Sequence, residues 1–149
     1  MPSEKDVRVR VGGIIINDNR LLLISHKKDE DVYWLLPGGG VDFGESLEEA
    51  LKREFREELN ITIHVHDIAL VCDSIDPSGG RHIVNICFNC SHDNGEYAIG
   101  DEERLYDYAF FNRDELSSIK IYPPMNNELI SMLDAHTERI YLGRIWLNR

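Results

Sequence analysis

Residues 39–61 read Gly39-Gly40-Val41-Asp42-Phe43-Gly44-Glu45-Ser46-Leu47-Glu48-Glu49-Ala50-Leu51-Lys52-Arg53-Glu54-Phe55-Arg56-Glu57-Glu58-Leu59-Asn60-Ile61. Ser46 with Glu49 three residues on forms a capping box, so the spacing predicts a helix from Leu47 to about Leu59. Asn60 suits the left-handed position that ends a helix, where Gly is preferred and Asn is the usual second choice. Ahead of the helix, Gly38, Gly39 and Gly40 allow positive φ or a close approach of backbone to a ligand.

The helix carries Glu48, Glu49, Glu54, Glu57 and Glu58, with Glu45 just before it, against Lys52, Arg53 and Arg56. A charge run is ordinarily a solvated, salt-bridged face, and phase separates that reading from a site. At about 100° per residue, Leu47, Leu51, Phe55 and Leu59 form one apolar stripe. Glu58 falls between Leu47 and Leu51 on the same wheel, Glu54 lies beside Leu47, and Glu57 flanks Glu54. Lys52 and Arg56 sit roughly opposite, as decorative charges do. Like charges at these spacings oppose helix formation by roughly 0.2–0.5 kcal/mol per exposed pair, and partial burial adds to the cost. A hard cation resolves the conflict, because Mg²⁺ prefers oxygen ligands and is commonly held by one or two carboxylates plus substrate phosphates. Arg53 can pair with Glu49 and Glu57 at i±4 and hold a glutamate in one rotamer. Glu48 and Lys52 form a similar, structural pair.

Outward from the helix, Val7, Val9 and Val11 alternate with Arg8 and Arg10 before Ile14 to Ile16, which predicts a strand. Asn17-Asp18-Asn19 marks a turn and Leu21 to Ser25 a second strand. His26 to Asp31 reads as a polar surface loop. After the helix come strands near Ile61 to Asp73, His82 to Cys90 and Leu105 to Phe111, with Asp76-Pro77-Ser78-Gly79-Gly80 as a turn. Asn112 to Leu116 reads as a short capped helical turn, and Pro123-Pro124 precedes a helix bearing Leu129, Met132 and Leu133. No linker or repeat interrupts residues 1–149, read as one domain. Strands interspersed with helices predict an α/β or α+β sandwich with a mixed sheet.

A chain of 149 residues buries roughly 68–70% of its unfolded surface, enough for a core without disulfides. Its 16 Lys and Arg against 27 Asp and Glu leave a net charge of −11. That charge argues against duplex nucleic acid and anionic membrane surfaces as partners. It leaves open a small phosphorylated substrate, since a bound divalent cation inverts the local sign of a carboxylate-lined site. The opening residues lack a basic-then-apolar leader and no apolar run approaches a membrane span, so a cytoplasmic location is expected. Cys72, Cys87 and Cys90 are an odd count. Cys87-x-x-Cys90 lacks a second pair and lies in a strand-like run, which predicts reduced, buried thiols.

Gly39, five residues, Glu45, seven residues, then Arg53-Glu54-Phe55-Arg56-Glu57-Glu58-Leu59-Asn60-Ile61 closely resembles the Nudix box. Every charged position of the 23 matches, and Asn60 replaces the final Gly. Trp34 to Gly40 also looks like the family's strand and glycine turn, and Phe110 to Leu116 like its late strand and short helix. The resemblance implies a Nudix-type α/β/α sandwich with a mixed β-sheet and Mg²⁺-dependent hydrolysis, Mn²⁺ being able to substitute, of a nucleoside diphosphate linked to another moiety. It places Glu54, Glu57 and Glu58 at metal-ligand positions, with the Gly38 carbonyl as backbone ligand. Glu45 takes the outer-shell position and Arg53 that of the orienting arginine. Candidate general bases are Glu54 or Glu57 on the helix and Glu102 or Glu103 in the loop before the late strand, with Asp107 less favoured.

For the substrate, Pro77 stands 16 residues past Ile61 and resembles a weak marker of ADP-ribose pyrophosphatases, although a turn proline is the more ordinary explanation. ADP-ribose or a similar nucleotide sugar, cleaved to a nucleoside monophosphate and a phosphorylated remainder, is the favoured substrate. The extended N-terminal region of many ADP-ribose enzymes is not evident, which keeps nucleoside triphosphates, oxidised deoxynucleotides included, as a close alternative. Lys27, Arg81, Gly39 and Gly40 are the candidate substrate contacts, with Lys28 beside Lys27. Tyr33 or Trp34 could stack on a base, though packing explains them as well. Two further readings are a non-catalytic nucleotide-sensing module on the same fold and an acidic structural helix. A homodimer follows by family analogy alone.

Overall fold

The computed structural model describes residues 6–135 and 139–146. In chain order the elements are β1 (Arg8–Ile14), β2 (Ile16–Asn17), β3 (Arg20–Lys28), β4 (Asp31–Leu35), β5 (Gly38–Gly40), α1 (Leu47–Leu59), β6 (Thr62–Ile75), β7 (His82–Asn94), β8 (Leu105–Phe111), α2 (Arg113–Leu116), α3 (Asn126–Leu133) and β9 (Tyr141–Ile145). One sheet has the order β5-β1-β7-β6-β9. It is mixed, with β1 parallel to β7 and β6 parallel to β9. The other joins β2, β3 and β4, with β8 also antiparallel to β3.

The apolar run at 21–24 shows how the layers form. Successive side chains of a strand point to opposite faces. Leu22 and Ile24 enter a core with Leu51, Phe55 and Leu59 of α1. Leu21 and Leu23 enter a second core with Leu116, Leu129 and Leu133 of α2 and α3. A strand covered on both faces has no polar side, hence its uninterrupted apolar sequence. The α/β/α sandwich expected from the sequence is the fold observed.

The ends of α1 follow the local chemistry. Ser46 Oγ accepts from the Glu49 N–H and the Glu49 carboxylate accepts from the Ser46 N–H, each at 3.1 Å. Asn60 closes the helix in the left-handed conformation at φ 61°, its N–H donating to the Arg56 carbonyl. The same logic caps α2, where Asn112 and Glu115 form a second box.

The structure departs from the sequence reading in three places. The 26–31 stretch is the end of β3, a tight hairpin at Asp29 and Glu30, and the start of β4, with His26, Lys27 and Lys28 paired to Tyr33, Val32 and Asp31. Backbone pairing needs no apolar side chains, so it outruns the apolar signal, and Asp29 tolerates its φ of 57°. Gly38 to Gly40 form a short strand on β1 rather than an open turn. The sequence reading has no counterpart of the edge strand β9, whose residues are exposed or half-buried and interrupted by Gly143 at φ 81°. Cys87 and Cys90, three apart on β7, face opposite cores, so C-x-x-C is no chelate. All three thiols are free and buried, and burial pushes Cys72 up to about 11 and Cys87 and Cys90 to about 12.

Candidate functional site

The carboxylates of α1 are set by helical phase against the neighbouring β5. Glu58 is 2% exposed and Glu54 8%, both on the face carrying Leu51 and Phe55, whereas Glu57 lies at the rim and is exposed. Glu58 Oε1 accepts from the buried Gly38 N–H at 2.9 Å. Glu54 comes so close to β5 that a Cβ on Gly39 would lie 2.5 Å from its carboxyl carbon. Gly38 is equally constrained, since a Cβ there would sit 1.9 Å from the Val11 carbonyl oxygen. The glycines are thus a ledge on which two helix carboxylates rest.

Arg53 organises the acids above that ledge. Its Nε and Nη2 donate to the two oxygens of Glu45 at 2.7 and 2.9 Å, a bidentate pair. Nη1 donates to Glu54 at 2.8 Å and to Glu57 at 3.4 Å, and Nη2 also reaches the Gly40 carbonyl at 3.1 Å. Glu49, its i−4 neighbour, is committed to the capping box, so the anticipated Arg53–Glu49 pair gives way to Glu45. The Arg53 hydrogen bonds, aided by the Asp42 N–H, hold Glu45 down at about 2. Burial holds the Glu54 carboxyl above its ordinary value against the pull of Arg53. Burial raises Glu58 well above the carboxylate range, partly opposed by the Arg10 charge.

Glu54, Glu57 and Glu102 bring carboxylate oxygens within 4.8 Å of one another. Glu102 comes from the loop before β8, and its neighbour Glu103 lies exposed outside this group. Glu58, tied to the Gly38 amide, is adjacent to the cluster in the chain but not within it. Three converging carboxylates, one of them buried, repel one another, and a hard divalent cation relieves that repulsion with the oxygen donors it prefers. The donor set therefore fits Mg²⁺, with Glu54, Glu57 and Glu102 as the residues that would hold it.

The remaining candidates lie at the end of β3 and in the β6–β7 hairpin. Lys27 is exposed, its Nζ 5.2 Å from the centre of the Tyr106 ring. Arg81 lies in the β6–β7 hairpin, where its carbonyl accepts from Asp76. Pro77 occupies the same hairpin, in which Asp76 accepts from the Ser78 N–H at 2.8 Å and hydroxyl at 2.7 Å. Trp34 packs edge-on against Phe111 at 4.7 Å and Tyr33 edge-on between His26 and Tyr122, so both are packing residues. Arg10, which was not singled out from sequence, donates to the Leu36 carbonyl at 2.9 Å and moderates Glu58. Its signal was a charged residue on a strand whose neighbours Val9 and Val11 belong to the apolar alternation.

Comparison with known proteins agrees with this geometry. The NUDIX domain matches residues 6–133. An ADP-ribose pyrophosphatase of Methanocaldococcus jannaschii is 35% identical over 112 residues, 74% of this chain, and the chain spans 65% of that protein's length. The nucleoside triphosphatase NudI of Escherichia coli O139:H28 is 35% identical over 121 residues, 73% of this chain and 84% of that protein. Among solved structures, a MutT NUDIX hydrolase from Burkholderia pseudomallei superposes with a TM-score of 0.73 at 31% identity, covering 85% of this chain and 97% of its own. With the glycine ledge, the arginine-bound glutamates and a match that runs from before β1 to the end of α3, the chain belongs to the Nudix family of hydrolases.

Proposed function

We propose that the protein is a Mg²⁺-dependent pyrophosphohydrolase that cleaves a nucleoside diphosphate linked to another moiety. Water attacks one phosphorus of the anhydride, the P–O–P bridge breaks, and a nucleoside monophosphate and a phosphorylated remainder leave. The observation that carries this reading is the convergence of Glu54, Glu57 and Glu102 beside Arg53. Bound Mg²⁺ would neutralise phosphate charge and lower the pKa of a water at the site. The chain's own part is positional and basic. Arg53 fixes the Glu54 and Glu57 carboxylates, Glu45 fixes Arg53, and a carboxylate of the cluster accepts the proton of the attacking water. Beside Gly40, where a Cβ would meet nothing within 4 Å, there is open space for the diphosphate.

ADP-ribose or a similar nucleotide sugar is the preferred substrate, supported by the Methanocaldococcus relative and the position of Pro77. The NudI relative, matched over more of its length, supports a nucleoside triphosphate as the second reading. Chromatographic assay of products with Mg²⁺, on nucleotide sugars, dinucleoside polyphosphates and canonical and oxidised triphosphates, separates them. Turnover of ADP-ribose well above triphosphates is expected. The opposite preference would replace the first reading with the second, and binding without turnover would favour a sensing module. Mg²⁺ at 100 times its Kd should add about 2.7 kcal/mol of stability. Glu57→Gln should lose most of the accompanying rise in Tm, whereas an acidic structural helix would show no such difference.

A further inference from the structure

The segment from Gly95 to Glu102 crosses the C-terminal end of α1. The Ala98 and Gly100 N–H groups donate to the Leu59 and Glu58 carbonyls at 3.1 and 3.0 Å, filling acceptors that a helix end leaves open. Contact is too close for side chains at two points. A Cβ on Gly100 would lie 2.0 Å from the Glu57 carbonyl oxygen, and one on Gly95 2.6 Å from that of Asn60. Beyond Glu102, the Leu105 N–H donates to the Glu102 carbonyl and the Lys27 N–H of β3 to the Arg104 carbonyl. Glu102 therefore sits between two anchors, one on the helix end and one on β3. The helix-end anchor includes a side chain, since Asn60 Nδ2 donates to the Glu96 carbonyl at 3.2 Å. A glycine at position 60 would end the helix equally well but could not make this bond.

We propose that Asn60 is a positioning residue, whose amide holds the 95–102 strap in the register that brings the Glu102 carboxylate to Glu54 and Glu57. This rests on the metal reading of the acidic cluster and adds to it the device by which the loop ligand is delivered. Asn60 touches neither the cluster nor the space beside it, and acts through the strap.

The test reads affinity for Mn²⁺ alone, by electron paramagnetic resonance, on the full chain and in a double-mutant cycle with Glu102→Gln. Asn60→Gly keeps the left-handed stop and removes the donor, and Asn60→Asp keeps the shape but sets an acceptor against the Glu96 carbonyl. Each is expected to weaken Mn²⁺ binding about fivefold, the factor equivalent to one net hydrogen bond, with little change in the metal-free Tm for Asn60→Gly. Gly100→Ala, which must lift the strap, is expected to weaken it further. In the Glu102→Gln background, Asn60→Gly should have no additional effect, which a merely stabilising tether would not produce. Unchanged affinity in Asn60→Gly, or the same loss with Glu102→Gln already present, would overturn the inference while leaving the metal centre standing. A wild-type protein that binds no Mn²⁺ would overturn the metal reading itself.

Discussion

Gly39 is the residue at which a single methyl group meets the site. A Cβ there would lie 2.5 Å from the Glu54 carboxyl carbon and oxygen, inside any real contact. Gly39→Ala should push Glu54 off the ledge and, since small misplacements of reacting groups are expensive, lower turnover by about 100-fold. Steady-state kinetics with an unchanged circular dichroism spectrum would check it, and near-normal turnover would show that Glu54 has another stable position. Glu45 makes a different prediction. Its folded-state value of about 2 lies below the ordinary 4.5, so its contribution to stability is present above pH 4.5 and is lost as the pH falls towards 2. Tm measured across that window should fall less steeply for Glu45→Gln than for the original protein. Equal slopes would mean that the Arg53 pair is not maintained in solution.

At the scale of the element, α1 is written almost wholly in local chemistry. Ser46, Glu49 and Asn60 fix its ends, and Leu51, Phe55 and Leu59 fix its buried side. Ser46→Ala removes one half of the capping box and should cost about 1 kcal/mol. Urea denaturation reads that cost, and Mg²⁺ should recover it only in part, because the cluster lies half the helix away from the cap. The acids of this helix were also visible in sequence, since phase alone turned Glu54, Glu57 and Glu58 toward the body of the protein, which holds for Glu54 and Glu58 but not for the exposed Glu57. What phase could not say is how the three differ. Glu58 spends an oxygen on the Gly38 amide and Glu57 stays exposed, while the third member of the cluster arrives from a loop 44 positions beyond Glu58. Likewise, β3 and β4 are longer than their apolar residues, because the backbone pairing of their outer residues needs no apolar side chains.

Across the whole molecule, the site is stiffened by the fit of α1 against β1. A Cβ on Gly13 would come 2.5 Å from the Phe55 ring and 3.3 Å from the Cys90 sulfur. Gly13→Ala should destabilise the protein by about 1–3 kcal/mol through overpacking. Adding Phe55→Leu, which makes room, should recover part of that loss. Additive losses in the double variant would show that the two residues do not share the strain. Because Phe55 lies next to Glu54, the same packing fixes the height of the helix carboxylates above β5. The burial that raises Glu54 and Glu58 above their ordinary values is thus a property of the sandwich and not of the helix.

The amino-acid sequence by itself determined the helix, its caps, the side on which its acids lie, the main strands and the family resemblance. All of these are local, since they depend on spacings of four residues or fewer or on a contiguous motif. Only the tertiary structure decided that Arg53 binds Glu45 rather than Glu49, that Glu102 rather than Glu103 joins Glu54 and Glu57, and that β9 completes the sheet beside β6. Lys27 was set at the end of β3, and Arg81 and Pro77 in the β6–β7 hairpin, by the same folding. The physical reason is common to these cases. A side chain on a loop carries no phase, and its position is fixed by distant backbone partners, here the carbonyls of Leu59 and Glu58 and the amide of Lys27, that no local pattern encodes.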